Sequence, residues 1–263
     1  MKPITVALVG ALALASLAGC ETSVTTTSTP ASARAVNTAL PPPEALAKSV
    51  KALDTTAFNV AVKQGVMTGG GRVDPAAGKA VLSMGGTVDL GTGVGVTRLS
   101  LGYTVLAPEL YIKADFGDTL NEHYGMDPTT WMHVDRAKLT GNALPLSEDG
   151  KLDVGITELL SGTADVQRTD KTHYTGTIDV SAVRGSLAPT QDSVQKAGAK
   201  AKAIPFKATL DEEGRLTVFT IDGASIDEDL AMELTFTGYG SIDPVTVPAG
   251  AIECPASVYE LIG

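Results

Sequence analysis

Ser193-Val194-Gln195-Lys196 places a lysine amine one helical turn from a serine hydroxyl, the spacing at which the amine can draw off the hydroxyl proton. Nucleophilic chemistry of that kind needs companions. The Ser-Asp-Asn and Lys-Thr-Gly segments that complete it are absent, since Lys171-Thr172 is followed by His173, and no Gly-x-Ser-x-Gly elbow exists. The pair therefore reads as solvated helix surface. Gly91-Thr92-Gly93-Val94-Gly95 has the glycine density of a phosphate loop but leads into a strand pattern, so no helix N-terminus awaits a phosphate. His123, His133 and His173 are too dispersed for a metal motif, and Asp115 with Asp118 lacks the ligand spacing of a calcium loop. His133 alternates with Trp131 and Asp135 on one strand face, which reads as surface or a local hydrogen bond, and Trp131 reads as a packing anchor. The residues assign no catalytic group, no metal ligand and no cofactor. A hydrolase would have to assemble its site from dispersed positions.

The remaining reactive side chains are two cysteines. Cys20 follows Leu17-Ala18-Gly19, and before that come a short basic start, Met1-Lys2-Pro3, and an apolar run from Ile4 to Ser16. As a helix that run would span about 20 Å, short of the ~30 Å hydrocarbon core, which fits an export signal better than a membrane span. The stretch resembles a bacterial lipoprotein signal ending in a lipobox. The resemblance implies that residues 1–19 are removed and that Cys20 is acylated. One acyl chain anchors only marginally, at about 0.8 kcal/mol per buried methylene, whereas two or three make attachment effectively permanent. With Cys20 acylated, Cys254 has no partner within the chain; it reads as a small buried apolar residue, with a reactive thiol as the alternative.

Of the 263 residues, about 245 follow this signal, enough for one sizeable domain and a tether. The formal net charge of −10 argues against nucleic acid and against electrostatic docking on anionic lipid. Residues 20–43 are rich in Thr, Ser and Ala, end in Pro41-Pro42-Pro43 and show no apolar periodicity; such a coil reaches roughly 25 Å on average. A single domain is expected over residues 44–263, held at the outer face of the cell membrane.

Within that domain Leu46, Val50 and Leu53 mark one face of an opening helix. Period-two alternation marks strands around Phe58–Val62, Leu99–Val105, Leu110–Phe116 and Met232–Phe236. Turn signals stand at Asp74–Lys79, Ser147–Lys151 and Asp211–Arg215, and two shorter helices are expected at Ile156–Leu160 and from Asp192 to about Lys202. This is an α+β pattern: one large antiparallel sheet with a few helices on a single face.

Four segments carry a more specific resemblance: Trp131–Asp135, Tyr174–Val180, the hairpin from Ile204 to Thr217 around its acidic turn, and Tyr239-Gly240 followed by Pro244–Pro248. In order and spacing they are similar to strands of actinobacterial lipoproteins of the LppX/LprA/LprF/LprG type. The resemblance implies a LolA-like fold, a strongly curved antiparallel half-barrel with helices across its concave face and an apolar cavity that takes the acyl chains of a lipid or glycolipid. The glycines at Gly69–Gly71 and Gly91–Gly95 would either widen its mouth or mark bulges. The positions expected to face the ligand are Leu99, Leu101, Tyr103 and Val105, with Ile178, Val180, Met232, Leu234 and Phe236 on neighbouring strands. The expected function is carriage or chaperoning of lipid by a membrane-anchored protein. The alternatives are an interaction or signalling lipoprotein with a filled core and, third, a cell-envelope hydrolase.

Overall fold

Strands with one dry face form where apolar and polar residues alternate, and the computed structural model carries a sheet through each of the long alternations. It describes residues 40–89, 95–139, 145–146, 151–183 and 187–262. Helix α1 (Pro42–Ala52) starts on prolines, which cost nothing in a first turn where the amide has no helical acceptor. Its Leu46 and Val50, with Leu53 at the C-cap, are buried. Five strands follow: β1 (Phe58–Gln64), β2 (Met67–Asp74), β3 (Lys79–Asp89), β4 (Val96–Leu106) and β5 (Glu109–Asp115). After α2 (Asp118–Tyr124), the two-residue β6 (Met132–His133) and α3 (Ile156–Ser161), the chain resumes with β7 (Thr163–Arg168) and β8 (His173–Ile178). Helix α4 (Gln191–Ala197) leads to β9 (Ile204–Leu210), β10 (Leu216–Ile221) and β11 (Met232–Thr237), and the chain closes with β12 (Ile252–Glu253) and α5 (Ala256–Ile262).

Among the described residues all twelve strands join one open, curved sheet in the order β12-β6-β5-β4-β3-β2-β1-β11-β10-β9-β8-β7. The pairing is antiparallel except that β12 runs parallel to β6. Two up-and-down meanders, β1 to β6 and β7 to β11, are joined where β1 pairs with β11. Directly opposed residues share a face, so the register fixes the inner surface row by row. Val105 opposes Ala80 and Ala80 opposes Val73, which opposes Phe58; the next row runs Tyr103, Leu82, Gly71, Val60 and Phe236. Leu101, Met84, Gly69, Val62, Leu234 and Phe219 form the third. Side chains of α1 and α3 join this inner surface in one apolar core.

Three segments depart from expectation. Residues 239–248 form no strand: the segment contains Pro244 and Pro248, which have no N–H to give a ladder, and Gly240 sits at φ +84°. The last strand is instead β12; its Ile252 amide, and that of Cys254 just beyond it, donate to the Trp131 and His133 carbonyls. The strand expected over Trp131–Asp135 keeps only Met132 and His133, because Asp135 turns the chain by accepting from the Ala137 amide at 3.1 Å. The helix expected from Asp192 to Lys202 breaks at Gly198, φ +54°, and continues as a 3₁₀ turn over Gly198–Lys202. The expected turn at Ser147–Lys151 and most of Gly91–Gly95 lie outside the described residues, although Leu146 and Leu152 form an antiparallel bridge on either side of that turn.

Candidate functional site

Over β7 to β11 the inner side chains fill their own space. Phe206 stacks on Phe219 with ring centres 4.9 Å apart, and Phe58 meets Phe236 edge-on at 5.6 Å. Over β1 to β4 they do not. Strand β2 presents glycine at two successive inner positions, Gly69 between Val62 and Met84, and Gly71 between Val60 and Leu82. These glycines stay in register from Met67 to Asp74, so they form no bulge. Gly71 has φ +158°, and a Cβ there would lie 1.9 Å from the Val81 carbonyl oxygen; only glycine fits so close an approach.

Beside this glycine run lies a cavity of about 360 Å³, with Gly70 in its lining. Its wall is Val60 and Val62 of β1, Met67 of β2, Leu82 and Met84 of β3, and Leu99, Leu101 and Tyr103 of β4. Phe116 closes one side, and Pro145, Val154, Ile156 and Leu187 form the cover. The cover is tied down: Gly155 donates to Asp153 Oδ1 at 2.8 Å just before α3, and the Thr157 hydroxyl donates to Asp54 Oδ1 at 2.7 Å beyond the end of α1. Strand β4 is sealed at Val105 and partly exposed from Tyr103 to Leu99, so the cavity opens toward the Leu99 end.

Leu99, Leu101 and Tyr103 thus come together at the cavity, while the other expected positions do not reach it. Val105 and Ile178 are wholly buried, and Val180, Met232, Leu234 and Phe236 lie in the closed core. Alternation finds a strand's inner face but not which stretch of that face is left unfilled. The β1 and β3 walls and the four cover residues escaped the sequence reading. The one available signal was the glycine run at 69–71, where inner positions lack side chains.

Tyr103 is the cavity's one inward polar side chain among the described residues. Ser83 and Ser100 also border it, but they belong to outward-facing rows and are exposed. No hydrogen-bond partner meets the Tyr103 hydroxyl among the described residues, and burial pushes its phenol up to about 12. Among the described residues no lysine, arginine, histidine or carboxylate lines the cavity.

The groups with chemical potential elsewhere are engaged in internal bonds. The Ser193 hydroxyl is buried, receives a bond from Thr190 and faces Asp227 Oδ1 at 3.0 Å, while Lys196 Nζ pairs with Asp227 Oδ2 at 3.2 Å. This network ties α4 to the 3₁₀ turn Glu228–Leu230. His133 bridges three strands, with Nε2 2.6 Å from Glu109 of β5 and Nδ1 3.2 Å from Glu253 of β12. The Glu109 bond chiefly holds its imidazole above the ordinary value, against burial and with help from Glu253. Cys254 is a buried free thiol, and burial raises its pKa. Among the described residues no group of three or more His, Cys, Asp or Glu side chains is placed to hold a metal, and no helix is long and apolar enough to cross a membrane. Compared with known proteins, the chain matches no family model and no curated protein sequence.

Proposed function

We propose that this chain is a membrane-anchored lipoprotein that binds the acyl chain of a lipid or glycolipid in the cavity between β1–β4 and the α3 cover, as a carrier or chaperone. The observation that carries the reading is an almost wholly apolar cavity of about 360 Å³ that opens toward the Leu99 end. A concave, apolar space of this size falls in the range of clefts that take small ligands. At about 30 Å³ per small group, the share of one water in the liquid, it takes roughly twelve methylenes. That is one chain of moderate length. Burying it gains about 10 kcal/mol gross at about 0.8 kcal/mol per methylene, before the cost of association.

The LolA-like half-barrel agrees with the open curved sheet, and the anchor on Cys20 with the apolar run before it. Because the β7–β11 half of the sheet is filled by its own side chains, the site takes one chain and not several. The test is Leu101→Trp on the cavity wall. In a close-packed core the added volume would cost about 1–3 kcal/mol. In a ligand cavity it fills space that lipid would otherwise occupy. The lipid-free protein should keep its unfolding midpoint, while the lipid recovered per mole of protein, read by mass spectrometry, falls sharply. Strong destabilisation would favour a filled-core interaction protein, and unchanged lipid content would remove the cavity from the function.

A further inference from the structure

We infer that Tyr103 is a specificity-determining residue, donating a hydrogen bond to an uncharged oxygen of the ligand, so that the cavity selects a neutral acyl ester over a free fatty acid. This rests on the proposed acyl-chain site and narrows its ligand class. Three observations carry it. Tyr103 sits on the inner row with Leu82 and Val60, inside the cavity wall. Its hydroxyl meets no acceptor among the described residues, whereas the half-buried Tyr239 hydroxyl donates to the Leu216 carbonyl. Among the described residues no cationic side chain lines the cavity.

Each observation limits the ligand. A phenol in an apolar wall that no protein acceptor meets is available to a ligand, and a ligand oxygen that accepts from it replaces the bond lost when the ligand displaces water from the cavity. A pure hydrocarbon leaves that donor unmet. A carboxylate meets it, but its full charge enters an apolar space whose described lining holds no Lys, Arg or His to compensate, and one neutral donor does not offset lost hydration of that size. An ester or alcohol oxygen accepts the bond and carries no charge. With room for roughly twelve groups, the polar end of a medium-length chain can lie at Tyr103.

The experiment uses the full chain, wild type and Tyr103→Phe, with three probes delivered from cyclodextrin: methyl dodecanoate, dodecane and dodecanoate, each displacing a cavity-bound fluorescent dye. Phenylalanine keeps the ring and removes only the oxygen. Wild type should bind methyl dodecanoate tightest, and Tyr103→Phe should weaken that ester about fivefold while leaving dodecane unchanged. Equal binding of the ester by both proteins, or wild-type preference for dodecanoate at neutral pH, would overturn the inference and leave the acyl-chain site standing. If Tyr103→Phe lost ester and dodecane alike with an unchanged unfolding midpoint, the residue would be a packing wall and the inference would fail. Failure of wild type to bind any of the three would instead sink the acyl-chain site itself.

Discussion

Inner-face residues of the same sheet differ in what surrounds them, and that difference sets the cost of changing them. Phe236 is sealed between β1 and β10 with Phe58 against its edge. Phe236→Ala should cost about 3–5 kcal/mol in urea unfolding, since it removes a full ring's contacts and leaves a void. Leu101 is partly exposed to the cavity, so Leu101→Ala removes fewer contacts and should cost less than about 2 kcal/mol. Comparable losses for the two would mean that β4 is as tightly packed as β11. Gly71→Ala should exceed Leu101→Ala, because its Cβ meets the Val81 carbonyl and its φ excludes alanine. At this scale the sequence was half legible. Leu99, Leu101 and Tyr103 alternate cleanly and do line the cavity, but Met232, Leu234 and Phe236 alternate just as cleanly and are buried in the core. Periodicity reports which face a residue occupies; whether that face is filled depends on partners far away in the chain.

Long elements announced themselves, and short ones depended on contacts that no local pattern records. Strand β4 and helix α1 were legible because eleven residues of alternation or helical spacing outvote any single exception. Strands β6 and β12 are two residues each and exist because they pair with one another and β6 pairs with β5. His133 secures that corner, facing Glu109 of β5 and Glu253 of β12, with the Tyr111 ring 5.1 Å away. Its folded pKa is raised, so protonation favours the folded state: the contribution is complete below about pH 6.5 and is lost as pH rises through the higher folded value. The site is substantially exposed, so screening keeps the effect small globally. The readout should therefore be local. Exchange of the Ile252 and Cys254 amides, corrected for intrinsic rate, should accelerate as pH is raised from about 6 to about 8 in wild type and lose that dependence in His133→Gln. A profile shared by both proteins would mean the backbone ladder alone holds β12.

At the scale of the whole molecule, a twelve-stranded sheet closes its inner face by curving, and the sequence could not specify how. The joint that makes one sheet of two meanders is the pairing of β1 with β11, from Asn59 opposite Thr237 to Gln64 opposite Met232. Alternation made each a strand; nothing local named them as partners. The same sheet bears on how the protein is held together. Cys254 is a buried free thiol, and no metal-holding group exists among the described residues, so neither reductant nor chelator should lower the unfolding midpoint. A drop of several degrees with either reagent would reveal a further cross-link. The membrane attachment is a separate matter, resting on Cys20, which lies outside the described residues. If Leu17-Ala18-Gly19-Cys20 directs acylation, Cys20→Ala removes the residue that carries the chains, and about 0.8 kcal/mol per buried methylene goes with it. The folded unit from Leu40 onward does not include that position, so the variant should fold as wild type does. Phase separation in detergent divides the outcomes: wild type should enter the detergent phase, and Cys20→Ala with residues 1–19 deleted should stay in the aqueous phase with the same unfolding midpoint. Equal partitioning of both would mean that the β-sheet domain itself carries the membrane affinity, and that acylation of Cys20 is not what holds the protein there.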